Sequence, residues 1–139
     1  MTAARELVEA FIEAVNQADV GLLKDLMAAD HRLIDPQGRS VEGREEVAVA
    51  WTDFFKMFPD YRIEVETLVH SESTVGVFGS TTATFRGKRG LVPENRLGGP
   101  AAWKALVKNG QIQSWQVYAD WTEAWKVIQA DQASDQDKE

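Results

Sequence analysis

The sequence predicts an α+β domain in which three helices, with one early strand among them, precede an antiparallel sheet and pack against one of its faces. Three observations carry this reading. Apolar residues recur at helical spacing as far as Met57, and the spacing changes to strict alternation from Ile63 onward. Asn109-Gly110 then separates the last two alternating rows, the signature of a two-residue type I′ hairpin.

The elements follow in order. Ala3 to about Gln17 is an amphipathic helix with Leu7, Val8, Phe11, Ile12 and Val15 on one stripe. Asp19 is the N-cap of a shorter helix that carries Leu22, Leu23, Leu26 and Met27 and ends near Asp30. A short strand from His31 to Asp35 meets the turn residues Pro36-Gln37-Gly38. The third helix spans Arg44 to Met57, with Glu45 and Glu46 at its positive end, an apolar stripe of Val47, Trp51, Phe54, Phe55 and Phe58, and Pro59 as its stop.

Four alternating rows come next. They are Ile63 and Val65; Val75 to Phe85; Trp103, Ala105 and Val107; and Ile112, Trp115, Val117 and Ala119. Ile112 and Trp115 are three apart, so a β-bulge near Gln113-Ser114 is needed to bring both to one face, and it would bend the sheet around a cavity. The segment from Trp121 to Gln129 is expected to be a short helix. Residues 1–129 are read as one domain and residues 130–139 as an acidic, disordered tail.

Composition narrows the function. The chain has 139 residues and a mass of 15.5 kDa, enough for one core without staples. It contains no cysteine, which removes disulfides and thiolate chemistry and suits a cytoplasmic setting. A net charge of −7 repels phosphate backbones and anionic lipid, which argues against nucleic acid and membrane partners. No apolar run approaches the ~18 residues of a membrane span. The two histidines have no i,i+4 partner, so no metal site is expected; no cofactor is expected either. Five tryptophans supply large flat surfaces for a core, a pocket or an interface.

Several local strings occur in a telling order: Phe11 to Asn16-Gln17-Ala18-Asp19, Asp35-Pro36 before Val41-Glu42-Gly43-Arg44, Phe58-Pro59-Asp60-Tyr61 before a strand, and Gly110-Gln111-Ile112 before Trp115 and Tyr118-Ala119-Asp120. In this order the chain resembles the SnoaL-like branch of the nuclear transport factor 2-like superfamily. The resemblance implies a curved sheet wrapped into a cone, three helices closing it, and a pocket for a small hydrophobic molecule between them. It also implies a homodimer through the convex sheet face, where Lys104, Gln116 and Tyr118 would lie. By strand parity the pocket wall would be Trp103, Ala105, Trp115, Val117 and Ala119, with Phe11, Trp51 and Phe55 added by the helices.

The same resemblance frames the chemistry. The aspartate base of ketosteroid isomerase corresponds to Asp35, but its tyrosine position falls on Phe11 and its acid position on Trp103, or on Ala102 with the hairpin shifted by one. Isomerisation of that type is therefore not expected. The water-activating aspartate of limonene-epoxide hydrolase corresponds to Val117, which activates no water. A SnoaL-type acid/base step would use Asp35 as proton carrier, with His31 and Asp120 as further candidates. Asp120 shares parity with Gln116 and Tyr118 and is expected to point outward. The stretch Arg86 to Pro100 reads as a long loop whose Arg86, Lys88, Arg89 and Arg96 could receive a ligand carboxylate. Two readings stay open: an acid/base enzyme, cyclase- or isomerase-like, acting on a hydrophobic oxygenated metabolite, or a non-catalytic small-molecule-binding or dimerisation module of the same fold.

Overall fold

The computed structural model describes residues 3–136. The chain runs α1 (Ala4–Asn16), α2 (Val20–Leu26), β1 (Met27–Ile34), β2 (Ser40–Glu42), α3 (Arg44–Met57), β3 (Arg62–Ser71), β4 (Thr74–Thr84), a 3₁₀ turn (Pro93–Asn95), β5 (Arg96–Lys108), β6 (Gln111–Ala119) and α4 (Thr122–Gln136). Six strands form one sheet in the order β2-β1-β6-β5-β4-β3. Every pairing is antiparallel except β1 with β6, so the sheet is mixed rather than wholly antiparallel. That parallel pair joins the helical half of the chain to its last strand.

The predicted signals work as their chemistry requires. Asp19 accepts the Leu22 amide at 3.1 Å and caps α2. Asn109 and Gly110 both have positive φ, 54° and 74°, as a type I′ turn demands. On β6, Leu106 pairs with Ser114 and Val107 with Ile112, which leaves Gln113 as the extra residue of a bulge. Ile112 and Trp115 are then both fully buried. A second irregularity, at Glu66 of β3, lies opposite Gly79. A Cβ at Gly79 would collide with the Glu64 carbonyl oxygen, so the close strand approach that curves this edge needs glycine.

Four boundaries differ from expectation. The strand β1 begins at Met27, not His31, because Met27 pairs with Ile112 and both Met27 and Ala28 are buried; tertiary pairing overrides the helix preference of Leu26-Met27-Ala28-Ala29. It ends at Ile34, so Asp35 lies outside it. The strand β5 begins at Arg96, which shortens the long loop: Leu97 to Pro100 pair with Ala83 to Ser80 of β4. Pro100 is tolerated there because β6 ends opposite Ala101, leaving β5 locally an edge. Finally, α4 continues to Gln136, well into the stretch expected to be a tail. Ala124 and Ile128 are buried, and the Asp131 carboxylate accepts the Lys88 amide at 2.9 Å while the Lys88 ammonium reaches the Asp131 carbonyl at 3.0 Å. Residues 137–139 of that stretch lie outside the described residues. Among the described residues no helix is long and apolar enough to cross a membrane.

The main core lies between one face of the sheet and α1 and α3. Phe11, Trp103 and Trp115 are its largest buried side chains, joined by Leu23, Met27, Val47, Trp51 and Ile63. A smaller core of Phe58, Ala83, Phe85 and Ile128 forms where α4 docks.

Candidate functional site

A cavity of about 520 Å³ opens between the two cores, within the usual size range of small-molecule sites. The C-terminal end of α3 gives it Phe54 and Phe58, and the following turn gives Tyr61. Thr81 and Ala83 come from β4, Leu97 to Ala101 from β5, and Val117 and Ala119 from β6. Its exposed rim is Glu94, Arg96, Asp120 and Glu123, and Trp121, Ala124 and Val127 complete the wall.

The aromatic wall is self-supporting. Phe54 meets Tyr61 edge-on at 4.8 Å and 86°, and Trp121 meets Phe58 edge-on at 5.9 Å and 88°. The turn between Phe58 and Tyr61 is held by Asp60. Its carboxylate accepts the Thr84 amide at 2.6 Å and the Thr84 hydroxyl at 2.7 Å, tying the end of α3 to β4. Burial pushes the Tyr61 phenol far above its ordinary range. The Trp103 indole N–H beside it pulls the other way, but makes no hydrogen bond of good geometry to any partner. Tyr61 is therefore a neutral donor at every physiological pH, set in a mostly apolar wall.

The predicted site residues divide into three groups. Val117 and Ala119 line the cavity. Trp103, Ala105, Trp115, Phe11 and Trp51 turn inward but are buried in the main core and fill it, so they are not cavity wall. Phe11 sits on Trp115 at 4.6 Å and Trp115 stacks on Trp103 at 6.3 Å, so this end of the sheet face is filled. Phe55 stacks on Trp51 at 5.4 Å, likewise outside the cavity lining.

The three acid/base candidates are dispersed. Asp35 stands in the turn after β1 and its carboxylate organises that turn. Oδ1 accepts the Gln37 and Arg39 amides, each at 2.9 Å, and Oδ2 pairs with the Arg39 guanidinium at 2.9 Å. It borders a separate cleft of about 130 Å³ with Pro36, Gln37, Arg39, Trp121 and Trp125. His31 is fully buried; its Nδ1 lies 2.7 Å from the Ile112 carbonyl oxygen, which can only accept, so Nδ1 carries the proton. Burial lowers its pKa, opposed by that hydrogen bond and by Asp30. Its Nε2 is enclosed without a partner, and the ring stacks on Phe11 at 6.1 Å. Asp120 does line the cavity, against the expectation from parity: β6 ends at Ala119, so strand alternation no longer sets its direction. Hydrogen bonds from Thr122 hold its carboxyl below the usual range.

Of the four basic residues, only Arg96 lines the cavity, from within β5, and Lys88 instead anchors α4. Among the described residues no three His, Asp or Glu side chains gather so as to hold a metal ion. Tyr61, Phe54, Phe58 and Trp121 were not picked out as site residues by sequence reasoning. The one available signal was Phe58-Pro59-Asp60-Tyr61, a helix stop whose aspartate fixes the tyrosine beside it.

A model of the SnoaL-like domain family matches residues 8–115. Among solved structures, a candidate polyketide cyclase of Xanthomonas campestris pv. campestris superposes with a TM-score of 0.80 at 18% identity, covering 90% of this chain and 96% of its own. A candidate SnoaL-like polyketide cyclase of Jannaschia sp. CCS1 gives 0.78 at 21% identity, with 90% of each chain covered. TerC, co-crystallised with polyporic acid, gives 0.76 at 14% identity over 91% of this chain and 98% of its own. At these identities the likeness is one of fold. No curated protein matches the chain.

Proposed function

The chain belongs to the SnoaL-like domain family, and we propose that it binds a small, apolar, oxygenated molecule in the 520 Å³ cavity, with the Tyr61 hydroxyl as donor to a ligand oxygen. Family membership supports a small-molecule-binding or cyclase-like function. One observation carries the finer reading: a neutral phenol is held in an apolar wall by Phe54 and the Asp60–Thr84 clamp. Tyr61 is half-buried in the cavity wall, so its hydroxyl can donate to a ligand carbonyl or hydroxyl, a bond worth about 1 kcal/mol. That TerC was co-crystallised with polyporic acid agrees with this use of the fold.

The test is binding of naphthol, followed by calorimetry and by the fluorescence of Trp121 in the cavity wall. Tyr61→Phe is expected to weaken binding about tenfold, the worth of one buried hydrogen bond. Ala119→Phe, which fills the cavity, is expected to abolish it. A Tyr61→Phe protein that is folded and binds like wild type would overturn the role given to the phenol.

Asp120 favours a second, catalytic version, being an ionised carboxylate on the cavity rim. A carboxyl held below its usual range is a weak base, however, whereas general-base catalysis works best with a pKa near the working pH. Binding is therefore the stronger reading. Deuterium exchange at the α-carbon of bound tetralone separates the two: acceleration that disappears in Asp120→Asn supports catalysis.

The homodimer belongs to the same proposal. Phe78 and Tyr118 are exposed on the convex face, sharing one cross-strand row through Ala102, with Val69 and Leu106 exposed beside them. Sedimentation at micromolar concentration is expected to give a dimer that Phe78→Lys dissociates.

A further inference from the structure

The rim of the cavity is charged, and its charge is not balanced. Three carboxylates line it, from three separate segments: Glu94 of the 3₁₀ turn, Asp120 after β6, and Glu123 in the first turn of α4. Against them stands one lining cation, Arg96. Lys126 reaches Glu123 at 3.2 Å and also acts on Asp120, but it is exposed and an exposed cation neutralises little. The chain's net charge of −7 adds a background of the same sign. Further in, the wall offers the faces and edges of Phe54, Phe58, Tyr61 and Trp121, and aromatic faces attract cations as well as apolar groups. The inner end holds a different polar group, the Tyr61 phenol beside the Trp103 indole. The cavity is thus differentiated along its length: a neutral hydrogen-bonding group inside, an apolar aromatic waist, and an anionic mouth.

We infer that the ligand is an oxygenated apolar amine, its ring body among Phe54, Phe58 and Tyr61 and its ammonium group at the mouth between Glu94, Asp120 and Glu123. This rests on the reading of the cavity as a binding site. It also reverses the sequence-based expectation of a ligand carboxylate, because three of the four basic residues behind that expectation lie away from the cavity.

Three probes sharing one ring body test it: naphthylmethylamine, naphthylmethanol and naphthoate, titrated calorimetrically at low and high ionic strength. The amine is expected to bind about fivefold tighter than the alcohol and more than about tenfold tighter than naphthoate, with the gap shrinking as salt rises. In the Glu94→Gln/Glu123→Gln double variant the amine-to-naphthoate ratio is expected to fall about threefold, with the alcohol as the neutral reference. Equal affinities, or a preference for naphthoate, would overturn the charge assignment and leave the binding site standing. Failure of all three probes, or binding that survives Ala119→Phe, would overturn the binding site and this inference with it.

Discussion

Asp60 is the residue on which the geometry of the cavity turns, and its removal can be estimated. It lies between Pro59, which stops α3, and Tyr61, which lines the cavity, and both of its carboxylate oxygens are used on Thr84. Hydrogen bonds to a charged group are worth about 1.5–3 kcal/mol each when buried. These two are only partly buried and share one carboxylate, so Asp60→Ala is expected to cost about 2 kcal/mol in total. For a chain of this length that is a fall in Tm of roughly 6–8 °C. Asp60→Asn keeps a carbonyl oxygen for the Thr84 amide and can donate to the Thr84 hydroxyl, so about half the loss should return. The measurement is urea denaturation of all three proteins, with an unchanged m-value as the sign that only stability moved. Because Tyr61 is the next residue, the Ala variant should also bind naphthol several-fold more weakly well below its unfolding midpoint. A stability within about 0.5 kcal/mol of wild type, the range of ordinary surface substitutions, would refute the clamp.

Two further predictions concern Asn16, which is partly buried, and His31, which is fully buried. Asn16, at the end of α1, donates to the Ile63 carbonyl at 3.0 Å and accepts the Ile63 amide at 2.8 Å, standing in for a neighbouring strand at the sheet edge. Asn16→Ala strands both backbone groups and should cost about 2 kcal/mol in urea denaturation; amide exchange at Ile63 should accelerate with it. His31 has a folded-state pKa below its ordinary 6.5, so the unfolded chain binds the proton more readily. Its effect on stability is absent well above pH 6.5 and appears as a loss when pH falls below that value towards the folded-state pKa, at no more than about 1.4 kcal/mol per pH unit. His31→Gln should flatten that acid limb, and an unchanged limb would show that His31 does not cause it.

Most of the fold was legible because it rests on local periodicity and local caps. The α3 boundaries, the Asp19 cap, the Asn109-Gly110 turn and the bulge at Gln113 each depend on residues a few positions apart. What was not legible depends on pairing with distant residues. Met27 becomes strand because Ile112 lies beside it, and Leu97 to Pro100 become strand because Ala83 to Ser80 do, despite two glycines and a proline. No local preference encodes either partner.

The site shows the same division more sharply. Alternation says which side chains face inward, and it placed Trp103, Trp115, Val117 and Ala119 on the correct face. It does not say whether an inward side chain fills space or borders it. The answer was present in side-chain size along that face. At one end stand Trp103 and Trp115, met by Phe11, and they leave no room. At the other stand Gly99, Ala101 and Ala119, which fill far less of the space below the helices. With strand spacing fixed, the unfilled volume must collect at that second end. A reading that weighed the size of inward residues together with their parity would have moved the cavity from the tryptophans to the alanines, and would have met Tyr61 and Asp120 there.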